Sequence, residues 1–196
     1  MAAFVIDEPD DPLRNYTPEE EKLLTENLRA ITDAIHRGDV RSRPIDVRFV
    51  QDLHAALFKD VRDHAGHVRS RGFGQEYVIF GPHRSVHRDK VEKELEDVIQ
   101  KAQRQLAALD QSGEDYEFAA LQLAVWLHAE IVRIHPFEDG NGRTSRLCLN
   151  HVLVKCGLRP VAIEAVKQEY TETLNHYYDT RDLEPLVDLY IRLYRL

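Results

Sequence analysis

Apolar positions along the chain recur mostly at helical spacing. Leu23, Leu24, Leu28, Ile31 and Ile35 mark an amphipathic helix that runs to about Arg37-Gly38. Thr17 is its expected N-cap, with Pro18 at the first position and Glu19 and Glu20 in the first turn. Residues 39–45 read as a linker containing Pro44. Phe49, Leu53, Leu57 and Phe58 predict a second helix over Val47–Val61. Tyr77–Phe80 is a short β-like run closed by Gly81-Pro82. Val86 to about Leu109 has the pattern of a long charged helix, and Ser112-Gly113-Glu114-Asp115 that of a loop. Tyr116–Ile134 is apolar on most of its faces, which predicts the central buried helix. A helix over Arg143–Cys156 follows, with Gly157 as its C-cap, and segments at roughly 164–178 and 183–194 complete an all-α bundle.

Between the two most apolar helices lies His135-Pro136-Phe137-Glu138-Asp139-Gly140-Asn141-Gly142-Arg143-Thr144-Ser145-Arg146. Gly140 and Gly142 let the backbone turn sharply and present N–H groups to an anion. The helix starting near Asn141 adds its unpaired N–H groups and positive dipole end. Arg143 and Arg146 neighbour each other on its first turn, and guanidinium forks suit phosphate oxygens. Asp139 is a hard oxygen donor of the type that holds nucleotide-bound Mg²⁺. An imidazole's unperturbed pKa is near neutrality, which suits His135 to accept a proton from an attacking hydroxyl. Pro136 stops the preceding helix, and Phe137 reads as a core plug anchoring the loop. A loop of this make-up points at a polyphosphate.

The stretch resembles the signature of the Fic family, His-x-Phe-x-(Asp/Glu)-Gly-Asn-Gly-Arg-x-x-Arg, at every defining position. The resemblance extends over about residues 50–190. It takes in Leu53–Phe58 with Ala65-Gly66-His67-Val68-Arg69, then Tyr77–Val86, Glu117–Leu121, Gly157-Leu158-Arg159-Pro160 and Asp182–Leu186. It implies a Fic-type helical bundle with a β-hairpin flap beside the active-site loop. It further implies a protein adenylyltransferase that moves AMP from ATP to a Ser, Thr or Tyr hydroxyl of a target protein. On that resemblance His135 is the general base and Asp139 the Mg²⁺ ligand. Gly140, Asn141 and Gly142 hold the α-phosphate region, Arg143 the β-phosphate and Arg146 the γ-phosphate. Tyr77, Val78, Ile79 and Phe80 are the flap segment that docks the target by strand addition. Family members that phosphorylate their targets have Ala and Lys where this loop has glycine and arginine, which argues against kinase chemistry. A toxin-like enzyme, a regulated or AMP-removing one, and an ATP-binding interaction module stay open as alternatives, with the intact His135 favouring turnover.

Many members are restrained by a glutamate in a (Ser/Thr)-x-x-x-Glu-(Gly/Asn) helix, which pairs with the second motif arginine. Glu26-Asn27 fits the end of that pattern, while Lys22 stands where Ser or Thr is expected. Glu26 is therefore the candidate brake on Arg146, and a separate small antitoxin chain is the alternative source. Near the C-terminus Thr180–Glu184 is followed by Pro185, which breaks the pattern.

Composition narrows the class. The 196 residues suffice for one substantial core. Residues 1–45 are expected as a tail and helix, the site of any inhibitory helix, packed into one unit with a core domain over 46–196. A net charge of −8 disfavours a nucleic-acid partner. No apolar run reaches membrane-spanning length, and the first residues lack a basic-then-apolar signal, so a cytoplasmic protein is expected. Cys148 and Cys156 are too far apart on one helix to bridge and read as small buried residues. Of the ten histidines, His128 is assigned a structural place, and His64, His67, His83 and His87 exposed loop positions.

Overall fold

The computed structural model describes residues 16–161 and 167–195. Seven helices and one two-stranded hairpin make up the described part: α1 Pro18–His36, α2 Val47–Leu57, β1 Ile79–Phe80, β2 His83–Arg84, α3 Arg88–Ala107, α4 Tyr116–Ile134, α5 Asn141–Lys155, α6 Lys167–Thr180 and α7 Glu184–Arg195. α4 is the axis. Leu121, Val125, Leu127, Ile131 and Ile134 are all buried along it, which follows from a helix apolar on nearly every face. α5, α3 and α7 all pack against α4. α1 lies on α2 and α5. Beneath its first half a smaller cluster of Leu24, Leu57, Phe58 and Val61 forms against Tyr16.

Local chemistry sets the element ends. Thr17 caps α1 in a full capping box: its hydroxyl accepts from Glu20 N–H at 3.2 Å, and Glu20 Oε2 accepts from Thr17 N–H at 2.7 Å. α5 ends in a paired reversal, with Gly157 at φ 79. There Leu158 N–H bonds Leu153 O at 2.9 Å and Gly157 N–H bonds Val154 O at 3.0 Å. α2 stops at Leu57, four residues short of the expected end, because Asp60 takes a left-handed φ of 61. α3 starts at Arg88, capped by His87, so Val86 lies in the segment that joins the hairpin to α3. The hairpin is shorter than the β-like run: Ile79 pairs Arg84 and Phe80 pairs His83, and Gly81 turns at φ 55. The segment expected at 164–178 is α6, and residues 162–166 lie outside the described residues.

Cys148 and Cys156 are both buried, as expected. No helix among the described residues is long and apolar enough to cross a membrane. His128 is fully buried, its Nε2 2.9 Å from Tyr170 Oη. Of the four loop histidines only His67 is exposed; His64, His83 and His87 are half-buried.

Candidate functional site

The site is the turn between α4 and α5. α4 ends on His135, whose backbone adopts the left-handed conformation with φ 54 and ψ 61. A non-glycine residue there carries strain of roughly 1–2 kcal/mol. The imidazole is buried and sits flat against the Phe80 ring, centroids 4.8 Å apart at 12°. Its Nδ1 lies 3.2 Å from Val132 O. A carbonyl only accepts, so Nδ1 carries the hydrogen and Nε2 is the basic nitrogen.

Phe137 is fully buried and stacks on the His54 ring at 3.8 Å and 11°. This is the plug role expected for it. His54 is a site residue that spacing alone did not single out. Gly66 N–H donates to His54 Nδ1 at 2.8 Å, so the hydrogen is on Nε2, which donates to Asp139 O at 3.1 Å. Burial pushes its pKa down to about 3, which keeps the ring neutral and this relay intact.

Asn141 begins α5. Its side chain faces inward: Oδ1 accepts from Phe137 N–H at 2.8 Å and Nδ2 donates to Phe137 O at 2.9 Å. The side-chain amide therefore clamps the loop shut. Gly140 turns at φ 71 beneath it, and Gly142 O accepts from the Ser145 hydroxyl. A Cβ at Gly140 would lie 2.3 Å from Phe58 Cε2. Gly140→Ala should cost stability on two counts, about 1–2 kcal/mol of backbone strain and about 1–3 kcal/mol of overpacking. Chemical denaturation will measure it, and adding Phe58→Leu should return only the packing part.

Asp139 is buried. Its Oδ1 accepts from Gly140 N–H and, at 3.2 Å, from Arg143. Its Oδ2 accepts from the Tyr16 hydroxyl, which in turn accepts from Arg143 at 3.2 Å. Tyr16 was not anticipated. Its ring lies under Arg62, at 4.6 Å from the guanidinium carbon, and Arg62 pairs with Glu20 of the α1 cap. Thus the residue just ahead of the α1 cap, Tyr16, meets the motif. Glu26 is 61% exposed and lies 4.0 Å from Lys22. The pairing expected between Glu26 and Arg146 is not formed, and Arg146 has no carboxylate partner among the described residues. Arg146 is half-buried one turn beyond Arg143 on α5.

The flap segment lies over this turn. Val78 is buried, Ile79 is 68% exposed, and Phe80 covers His135. Tyr77 holds the base of the hairpin, with Arg84 stacked 3.3 Å over its ring. Tyr178 of α6 meets both Phe80 and His83 edge-on.

The chain belongs to the Fic/DOC family, whose model matches residues 44–153. It is 43% identical over 72 residues to the protein adenylyltransferase Fic of Nematostella vectensis, a match covering 36% of this chain and 16% of that protein. It is 30% identical over 102 residues to a ribonucleoside-diphosphate reductase small chain of Ostreid herpesvirus 1, covering 52% of this chain and 17% of that protein. These matches span less than a fifth of either relative's length. Among solved structures, a Fic family protein from Desulfovibrio desulfuricans superposes with a TM-score of 0.68 at 24% identity, covering 93% of this chain and 53% of that one. An N-terminal Fic domain from Bartonella quintana with bound ADP gives 0.64 at 18% identity, covering 97% and 93%. The two structural matches share the helical fold.

Proposed function

We propose that the chain is a protein adenylyltransferase that moves AMP from ATP to a hydroxyl of a target protein. The observation that carries this reading is the seat of His135, with Nε2 basic and the ring held between the flap and a glycine turn flanked by Arg143 and Arg146. In the reaction His135 takes the proton of the attacking hydroxyl. The new bond forms between that oxygen and the α-phosphorus, and the bond to the pyrophosphate leaving group breaks. Arg143 and Arg146 offer guanidinium donors to the leaving phosphates. Asp139 is the loop's hard oxygen donor and fits Mg²⁺, which when bound would neutralise phosphate charge. The exposed edge at Ile79 is where an extended target segment would add as a strand, placing its hydroxyl beside His135.

Family membership and relatives named as adenylyltransferases support this reading. The test is incubation of the protein with ATP labelled at the α-phosphate, Mg²⁺ and a cell lysate, with γ-labelled ATP in parallel. Covalent label from the α position alone, lost with EDTA, is expected. Label from the γ position would replace AMP transfer with phosphorylation.

In the state described, Tyr16 occupies both polar groups that the metal and the phosphates require. A hydrogen bond to a charged partner contributes roughly 1.5–3 kcal/mol net. Tyr16→Ala should therefore bind MgATP about tenfold more tightly than wild type by titration calorimetry. Unchanged or weaker binding would show that Tyr16 does not compete with the nucleotide.

A further inference from the structure

Arg69 is fully buried and is the largest such side chain among the described residues. It has no ion pair among the described residues, with Glu138 as the nearby acid that favours its charge. Burying a lone cation costs several kcal/mol, and an apolar side chain of like volume would fill the same space without that penalty. What the guanidinium supplies is a set of donors pointing two ways.

One set faces the end of α4. Nε donates to His135 O at 2.8 Å and an NH2 hydrogen to Ile134 O at 3.2 Å, while the Arg69 backbone N–H donates to Pro136 O at 2.7 Å. These are carbonyls at a helix C-terminus, where the dipole favours a cation. The other set faces both legs of the hairpin. NH1 donates to Gln75 O at 3.0 Å on the incoming leg, and NH2 donates to Ser85 Oγ at 3.1 Å and Val86 O at 3.0 Å on the outgoing leg. Ser85 Oγ also accepts from Val78 N–H at 2.8 Å, the residue before the exposed Ile79. A chain of contacts thus runs from the strained backbone of His135 through one side chain to the edge of the flap.

We propose that Arg69 is a positioning residue that locks the hairpin to His135, so that the docking edge and the base hold one register. The proposal rests on the transferase reading for its effect on rate, though not for its effect on the hairpin. Without the guanidinium both hairpin legs lose their tie to α4, and Phe80 loses its fixed seat on the imidazole. The nucleotide loop has its own clamps in Asn141 and His54 and stays formed. A misplaced reacting group typically costs on the order of a hundredfold in rate.

The experiment compares wild type with Arg69→Met, Arg69→Lys and Ser85→Ala. Readouts are amide hydrogen exchange, MgATP affinity by calorimetry and transfer of α-labelled AMP to protein. The expected result is about tenfold or more faster exchange at Val78 and Ser85, unchanged exchange in α4, MgATP affinity within about threefold, and transfer lowered about a hundredfold, with partial recovery in Arg69→Lys. Wild-type hairpin exchange in a folded Arg69→Met overturns the proposal. So does a uniform rise in exchange together with parallel loss of MgATP binding, the pattern of general destabilisation. If Arg69→Met does not fold, Arg69→Lys and Ser85→Ala decide by the same criteria. If wild type transfers no label, the transferase reading fails while the exchange result still judges the link to the hairpin.

Discussion

Replacing His135 with alanine should lower AMP transfer by about 10²–10⁴-fold, the usual contribution of a positioned base. MgATP affinity should change little, because the loop proposed to receive the nucleotide is held by other groups. Asn141 closes it onto Phe137, and His54 ties Asp139 O to Gly66. His135 itself contributes a basic Nε2, fixed by the Nδ1 contact to Val132 O and the stack on Phe80. Alanine also removes that stack, so the flap must be shown to stay ordered by exchange at Val78 and Ser85. His135→Asn is the companion variant, since it keeps a polar side chain but no base. If either variant transfers label at the wild-type rate with its fold intact, His135 is not the proton acceptor, and a water or a group of the target must serve instead.

How much of this was readable beforehand depends on the range over which each feature is encoded. Short-range patterns were legible. Thr17 with Glu20 marks a capping box within four residues, and Gly157 marks a helix end through its own backbone. The motif was legible because its groups stand in fixed order over twelve consecutive positions. Three features were not legible, and all three are long-range contacts. Tyr16 meets Asp139 across 123 residues, His54 meets it across 85, and Arg69 meets His135 across 66. No periodicity records such pairings. His54 and Arg69 were visible only as parts of a stretch that resembled the family, without a role.

Two residues were legible in type but not in direction. Asn141 has the chemistry to meet a phosphate or to close a loop, and only the inward turn of its side chain separates the two. Glu26 sits in a plausible pattern for a brake, but α1 presents Leu24, Thr32 and Ile35 to the core and leaves Glu26 on the wet face with Lys22. A helix can bury one stripe only, and the apolar residues take it. The contact between α1 and the motif then falls to the residue just ahead of the cap, Tyr16, where the chain is free of helical geometry. Tyr16 meets Asp139 and Arg143 there, while Arg146 lies one turn further along α5.

Stability should fall steeply between pH 6 and pH 5, by about 3–4 kcal/mol, because three buried histidines are neutral in the fold. Burial pushes His54 and His128 down to about 3 and His151 to about 4. Neighbouring guanidinium and ammonium groups act in the same direction: Arg143 at His54, Arg146 at His128, and Lys155 and Arg43 at His151. An unfolded histidine titrates near 6.5. Above that value neither state binds these protons and the contribution to stability is complete. Below it the unfolded chain takes up as many as three protons that the fold refuses, and each costs about 1.2–1.4 kcal/mol per pH unit until the folded values are reached. Carboxylates held low, such as Asp110 and Asp182, lose their contribution only under more acid conditions, near or below their ordinary range, so the window belongs to the histidines. Urea denaturation at pH 7, 6 and 5 gives the slope directly. A flat profile would mean that the rings are protonated in place or reached by water. His128→Gln, which can still meet Tyr170 Oη, should reduce the slope by one proton and leave the site alone.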